Sequence, residues 1–158
     1  MTDYSTSVTF TGHRHIPIQR RSEVCAKLEK AVMANYANGV RNFNCGMALG
    51  FDLLAAEMVL KVKTLHPDIA LTAVVPFRGQ CERWPDKDRR HYHGIISQAD
   101  KLVVLSESYY SCCLLERNDY MLSHCIGVIA YYDGSKRGGT FYTCRKAVNM
   151  QLPVLNLY

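Results

Sequence analysis

The chain has 158 residues, of which 48% are hydrophobic and 21% are charged. This length and composition fit one globular domain with its own apolar core, and they exclude a disordered chain. The formal net charge of +5 and the pI of about 8.8 suit a phosphate-bearing ligand but fall short of a nucleic-acid-binding signature.

Short β-branched or aromatic runs alternate with helical apolar periodicity about six times along the chain. Strands are predicted at 7–11, 40–45, 69–75, 101–105, 127–132 and 153–157. Helices are predicted at 18–36, at 53–65, in the second half of 80–98, at 114–124 and at 140–150. This order predicts a single α/β domain over residues 1–158, a Rossmann-like three-layer sandwich with a mostly parallel central sheet. A ligand crevice is then expected at the carboxyl ends of the strands.

The cysteine count and the N-terminus indicate a reducing compartment. Seven is an odd number for a disulfide framework, and no apolar leader segment precedes the first strand. No apolar run approaches the length that crosses a membrane. We therefore expect a cytoplasmic protein with free thiols and no membrane partner. No CxxC pair is present, and we interpret His13/His15 and His91/His93 as ordinary polar histidines rather than metal ligands.

The first loop that could carry chemistry follows the first strand. Gly12 allows a sharp turn and a close approach of the backbone to a ligand. His13 follows it, and Arg14 offers a planar fork of donors that suits phosphate or carboxylate. The alternative is a tight turn with a surface arginine, and this loop alone does not decide between the two.

The second loop lies between the second strand and the second helix. It places Gly46, Met47, Ala48 and Gly50 before a helix N-terminus, where unpaired N–H groups and the helix dipole favour an anion. The spacing matches neither a Walker A loop nor the GxGxxG fingerprint. Asp52 is expected either to cap the helix or to accept a hydrogen bond from a ribose hydroxyl.

The third loop follows the fifth strand and leads into the last helix. Gly138, Gly139 and Thr140 again put small residues and a hydroxyl at a helix start. Thr140 as a plain helix cap is the alternative interpretation. Because both glycine loops should lie at the same edge of the sheet, each strengthens the other as a candidate phosphate site.

Other candidates surround these loops. The third strand stops at Pro76, and Arg117 and Asn118 are polar residues near the start of a helix. The basic stretch 83–93 is interpreted as a solvated helix face in preference to a phosphate-facing one. Aromatic residues in predicted loops could stack on a base, although partial burial is favoured for them; they are Trp84, Tyr109 and Tyr110. No nucleophile elbow or redox cysteine pair is present.

Three motifs, Thr11–Arg14, the run 46–57 and Gly138–Thr140, occur in an order that resembles the YpsA-like branch of the SLOG superfamily. The resemblance extends to Pro76–Phe77, Trp84 and the Arg117–Asn118 pair, and covers nearly the whole chain. The superfamily also contains the "lonely guy" phosphoribohydrolases and DNA-processing protein A. The resemblance implies a Rossmann-like fold and a nucleotide-derived ligand such as NAD, ADP-ribose or a nucleoside phosphate. It implies no further cofactor and allows pairing of copies through helices.

One departure from the phosphoribohydrolases bears on activity. Their Pro-Gly-Gly-x-Gly-Thr-x-x-Glu motif ends in a glutamate, whereas Thr143 stands at that position here. We therefore favour binding or sensing of a nucleotide over catalysis. The alternative is hydrolysis of a nucleotide or N-glycosidic bond, for which Asp52 or Glu116 would have to supply the acid or base. Binding of single-stranded nucleic acid is a third, less favoured hypothesis because the basic residues are dispersed.

Overall fold

A computed structural model describes residues 4–158, and within them six strands alternate with five helices. The strands are β1 Ser7–Gly12, β2 Asn42–Cys45, β3 Ala70–Val75, β4 Lys101–Val104, β5 Val128–Tyr131 and β6 Val154–Asn156. The helices are α1 Ile18–Ala37, α2 Phe51–Lys63, α3 Asp86–Ile96, α4 Cys113–Leu122 and α5 Gly139–Asn149. The predicted α/β Rossmann-like fold is confirmed, and every predicted element is present.

The six strands form one sheet in the order β4–β3–β2–β1–β5–β6, and every neighbouring pair is parallel. The chain builds outward from β1 to β4 and then returns to place β5 on the other side of β1. The loops after β1 and β5 therefore leave in opposite directions at a topological switch point. Their carboxyl ends are adjacent, with Gly12 in register with Tyr131.

Side chains of β5 alternate between two apolar cores, one on each face of the sheet. Ile129 and Tyr131 belong to the larger core, which α1, α2 and α3 cover. Val128 and Ala130 belong to a smaller core, which α4 and α5 cover. The helices thus form an outer layer on each face, as the alternation of strands and helices predicts.

Several element boundaries differ from the sequence prediction by one or two residues, and the structure gives the reason for two of these differences. Parallel pairing of β2 with β1 begins only at Asn42, opposite Ser7, so Val40 and Arg41 precede the strand. Helix α2 begins at Phe51 because Gly50, with a φ of 84°, turns the chain directly into it. Within residues 4–158, no helix is both long enough and apolar enough to cross a membrane.

Candidate nucleotide-binding cleft

The three predicted loops meet in one cleft of about 470 Å³ at the switch point between β1 and β5. This volume lies within the usual range for small-molecule sites. The cleft is lined by residues 10–14, Ala48, Asp52, Tyr109, residues 112–115, Arg117, Asn118 and residues 137–140.

Most of the predicted site residues line this cleft. They are Gly12, His13, Arg14, Ala48, Asp52, Arg117, Asn118, Gly138, Gly139 and Thr140. Four others do not line it. Met47 is fully buried in the larger core and Pro76 follows the end of β3, while Gly46 packs against Arg117 and Gly50 against Arg14.

The glycines of the first two loops allow internal packing. A Cβ on Gly12 would lie 2.4 Å from the Phe51 ring, and one on Gly50 would lie 2.2 Å from the Arg14 carbonyl oxygen. These distances are far below van der Waals contact, so a side chain at either position would separate the two loops. Phe51 N–H also donates to the His13 carbonyl oxygen at 3.1 Å, which joins the start of α2 to the loop after β1. The sequence predicted that Gly12 lets the backbone approach a ligand closely. The Phe51 ring already requires a glycine at this position, so that prediction gives only part of the reason.

Asp52 is the most unusual side chain of the cleft. It is not the helix cap, as one sequence interpretation had it, because Gly50 occupies that position. Its Oδ2 accepts a hydrogen bond from the Ala48 N–H at 3.2 Å. Its Oδ1 is buried and has no hydrogen-bond partner within residues 4–158. Burial raises the pKa of Asp52 to about 6, while Arg117, the Ala48 N–H and Arg14 oppose the rise.

Arg117 lies behind Asp52 and is only 4% exposed. Its Nε donates to Asn118 Oδ1 at 2.7 Å, and its Nη1 donates to the Gly46 carbonyl oxygen. A Cβ on Gly46 would lie 2.7 Å from the Arg117 Cζ, so this glycine makes room for the guanidinium. Desolvation lowers the pKa of Arg117, and the nearby Asp52 carboxylate opposes that change. The sequence placed Arg117 near a helix start, but α4 begins at Cys113 and buries it.

Two helix N-termini line the cleft, those of α4 and α5. Cys112 caps α4 with a φ of 69°, Gly138 caps α5 with a φ of 93°, and neither helix has a side-chain cap. Thr140 lies inside the first turn of α5, so the alternative that it caps this helix is wrong. The first N–H groups of a helix have no intrahelical acceptor and carry a partial positive charge. Both helix ends are therefore suited to an anion.

The charge of the cleft is predominantly positive. Arg14, Arg117 and Arg137 line it together with one acidic side chain, Asp52. Among residues 4–158, neither Arg14 nor Arg137 lies within 4.0 Å of a carboxylate. With the two helix ends, these guanidinium groups favour a ligand with negative charge.

The loop histidine is held at the rim of the cleft. His13 Nε2 lies 2.9 Å from Asp133 Oδ1 and 3.0 Å from the Asp133 backbone nitrogen. The Asp133 N–H donates to the ring, or the ring donates to the carboxylate, depending on the tautomer. Either arrangement joins the loop after β1 to the loop after β5, so the two walls of the cleft are connected.

Three further candidate residues differ in their burial and in whether they line the cleft. Glu116 is exposed, accepts a hydrogen bond from Tyr110 and does not line the cleft, so it is wrong as a candidate acid there. Trp84 is half-buried against Tyr92, as favoured. Tyr109 was also expected to be partly buried, but it is 66% exposed at the edge of the cleft.

The basic stretch 83–93 lies away from this cleft. Arg89 pairs with Asp86 and His91 pairs with Glu57, both on the exterior of α3. Among residues 4–158 no group of three or more His, Cys, Asp or Glu side chains is arranged to hold a metal ion.

Sequence reasoning missed two parts of the cleft wall. Arg137 lines the cleft, and the only sign of this in the sequence was that it directly precedes the glycine pair Gly138–Gly139. Residues 112–115 carry no recognisable motif. A left-handed turn into a helix is usually marked by glycine, but here Cys112 adopts that conformation, so the sequence gives no sign of the turn.

Comparison with solved structures finds the same fold in DNA processing protein A. The Streptococcus pneumoniae protein matches with a TM-score of 0.67 and 19% identity, over 96% of this chain and 50% of that one. The Helicobacter pylori protein, described for its single-stranded DNA binding mode, matches with a TM-score of 0.67 and 18% identity. That match covers 95% of this chain and 64% of the other. At such identities the likeness shows the fold alone.

Sequence comparison gives the family. A UPF0398 protein of Halalkalibacterium halodurans is 32% identical over 125 residues, which are 78% of this chain and 66% of that protein. The chain thus spans about two thirds of that relative's length and half of the S. pneumoniae protein. The model of the YspA SLOG family (YpsA) matches residues 8–154. On this evidence the chain belongs to the YspA SLOG family, as the motifs of the three loops predict.

Proposed function

We propose that the cleft binds a nucleotide or a nucleotide-derived ligand. The observation that carries this proposal is Asp52, which lines the cleft and whose buried Oδ1 has no hydrogen-bond partner within residues 4–158. An unsatisfied buried carboxylate oxygen is costly and calls for an explanation, and a ligand bound in the cleft would supply the missing donor. A sugar hydroxyl is a suitable donor for this carboxylate, because the Ala48 N–H occupies Oδ2 only and Oδ1 accepts no hydrogen bond within residues 4–158.

The phosphate of this ligand would lie at the start of α5. Gly138 and Gly139 keep the helix N-terminus open, since a Cβ on Gly138 would meet nothing within 4 Å and one on Gly139 only the Asn118 amide at 3.9 Å. The first turn of α5 holds no acidic residue of its own. Arg14 and Arg137 would balance the remaining charge. Membership of the SLOG family agrees with a nucleotide-related role.

Gly139→Asp tests the phosphate position. The new carboxylate would occupy the dipole end that we assign to phosphate, so nucleotide affinity should fall about a hundredfold through like-charge repulsion. Helix stability should rise by about 0.3–1 kcal/mol, because an acidic residue in the first turn is favourable. Isothermal titration and thermal unfolding measure the two effects on one sample.

Gly139→Asn is the matched control, since it has the same shape without the charge. Its affinity should fall much less than that of Gly139→Asp. Equal losses in the two variants would mean that the pocket is sensitive to bulk at this position and would remove the support for a phosphate there.

A second candidate function is hydrolysis of a nucleotide or N-glycosidic bond. The pKa of about 6 at Asp52 favours it, because a carboxyl group that titrates near neutrality can donate or accept a proton. Against it, Thr143 is fully buried and donates to the Gly139 carbonyl oxygen at 2.9 Å, so it supplies no acid or base in the cleft. Release of base or ribose phosphate on incubation, lost in Asp52→Asn, would establish the enzyme.

Binding of single-stranded DNA, for which the H. pylori protein is described, is a third candidate. The arginines of this chain that line the cleft form one cluster, and a strand needs a continuous basic groove with stacking aromatics. We therefore favour a small ligand. If the cleft binds single-stranded DNA, the affinity for DNA should fall steeply as the salt concentration increases.

A further inference from the structure

A second cavity of about 570 Å³ lies beside the nucleotide cleft, between the loops that follow β3 and β4. It is lined by residues 77–80, 82–83 and 107–109. Tyr109 lines this cavity and the nucleotide cleft alike. Tyr109 is therefore a wall residue that the two spaces share.

The walls of this second cavity are held together by direct contacts. Arg78 Nε and Nη2 donate to the two carboxylate oxygens of Glu107 at 2.8 and 3.2 Å, which is a bidentate pair across the two loops. The Arg78 backbone N–H also donates to the Ser106 carbonyl oxygen at 2.9 Å. Although an exposed ion pair adds little stability, this geometry fixes the spacing of the loops before any ligand arrives.

The chemistry of the second cavity suits a ring more than a phosphate. Its charged side chains balance, since Arg78 and Arg83 are matched by Glu82 and Glu107. The rings of Tyr109 and Phe77 pack nearly at right angles, with their centroids 5.5 Å apart and an interplanar angle of 83°. Tyr109 thus contacts Phe77 while it stays 66% exposed. Exposed aromatic rings of this kind are stacking platforms for nucleobases.

The start of α4 lines the nucleotide cleft and follows Tyr109 closely in sequence. Tyr109 precedes the Cys112 cap by three residues, and residues 112–115 line the nucleotide cleft. The cleft therefore has two helix ends, of α5 and α4, and the second is on the side of the Tyr109 ring. In the same cleft, Asp52 Oδ1 is buried with no hydrogen-bond partner within residues 4–158, which is an independent observation that points to a ligand.

We propose that the Phe77–Tyr109 cavity is a second ring subsite, so that the ligand is a dinucleotide whose two phosphates lie at the starts of α5 and α4. This inference rests on the nucleotide function proposed above and narrows the ligand class. One ring and its ribose occupy the nucleotide cleft near Asp52, and the second ring stacks on Tyr109. The dinucleotide NAD and the mononucleotide AMP are suitable probes of the difference.

The test is calorimetric titration of AMP and NAD into the wild-type chain, Tyr109→Ala and Tyr109→Phe. In the wild type, NAD should bind at least about tenfold more tightly than AMP, since stacking of one base on an aromatic ring accounts for at least that factor. Tyr109→Ala should abolish this difference by weakening NAD. Tyr109→Phe, which keeps the ring, should preserve it.

Other outcomes overturn the proposal in distinguishable ways. If AMP binds in an Asp52-dependent manner but NAD binds no more tightly, the second subsite is wrong and the nucleotide function stands. If Tyr109→Ala weakens AMP and NAD by the same factor, Tyr109 acts only in the first cleft and the subsite is also wrong. If neither compound binds, both proposals fail.

Discussion

Replacing Asp52 by asparagine should stabilise the chain at about pH 8 while it weakens nucleotide binding. Burial raises the pKa of Asp52 from its ordinary 3.8 to about 6. The native state therefore keeps a proton that the unfolded chain loses, and the unfolding free energy falls as pH rises from about 4 to 6. Above that window the charged side chain costs up to about 3 kcal/mol. Asparagine does not ionise and avoids this cost.

The expected gain in melting temperature is on the order of 5–10 °C, given roughly 2–4 °C per kcal/mol for a chain of this size. The gain should shrink as the pH falls below 6 and disappear at about pH 3, where the wild-type carboxyl group is protonated in both the folded and the unfolded state. Thermal unfolding of the two proteins across this pH range measures it. Nucleotide affinity should fall about ten- to a hundredfold in the variant, since a hydrogen bond to a charged group is lost.

This combination separates a functional carboxylate from a structural one. If Asp52 served to hold Arg117 in place, removing its charge would leave a buried cation uncompensated and would destabilise the chain. A lower melting temperature for Asp52→Asn at about pH 8 would thus contradict the assignment of Asp52 to a ligand.

Gly50→Ala should have the largest destabilising effect of any alanine substitution in the loops. Gly50 has a φ of 84° and a ψ of −120°, which an L-residue rarely adopts. Its new Cβ would also lie 2.2 Å from the Arg14 carbonyl oxygen, a backbone atom that cannot move away cheaply. We expect a loss of about 3–5 kcal/mol in the free energy of unfolding, and loss of nucleotide binding because Arg14 is displaced.

Gly39→Ala is the control for this substitution. Gly39 also has a positive φ, of 97°, but its Cβ would meet nothing within 4 Å. It should lose only about 1 kcal/mol, the cost of the backbone conformation alone. Denaturant unfolding of both variants gives the difference between their losses in the free energy of unfolding. That difference measures the cost of the steric clash between the Gly50→Ala side chain and the Arg14 loop. Similar losses in the two variants would mean that the contact between the loops is not tight.

The fold could be predicted from the sequence because its elements follow simple periodicities. The nearly unbroken apolar run at 69–75 predicts a strand buried on both faces, and β3 occupies Ala70–Val75 in the interior of the sheet. The glycine spacings likewise located the loops of the cleft. Both signals are local, so a single sequence is enough to show them.

The roles of individual site residues could not be predicted in the same way. Gly46 and Gly50 have the composition of a phosphate loop, but the atoms they make room for belong to Arg117 and Arg14, which are distant in sequence or lie on another loop. The burial of Arg117 likewise depends on how α4 packs. Such long-range contacts leave no periodic signal, and only the three-dimensional arrangement reveals them.

Binding of a nucleotide by this cleft would use the α5 N-terminus and Asp52. Its most direct test is calorimetric titration of AMP, ADP-ribose and NAD into the wild-type chain and Gly139→Asp. We predict saturable binding of at least one of these compounds, one molecule per chain, and its loss in Gly139→Asp, which should remain folded. Failure of all three to bind, or equal binding to both proteins, would contradict the claim.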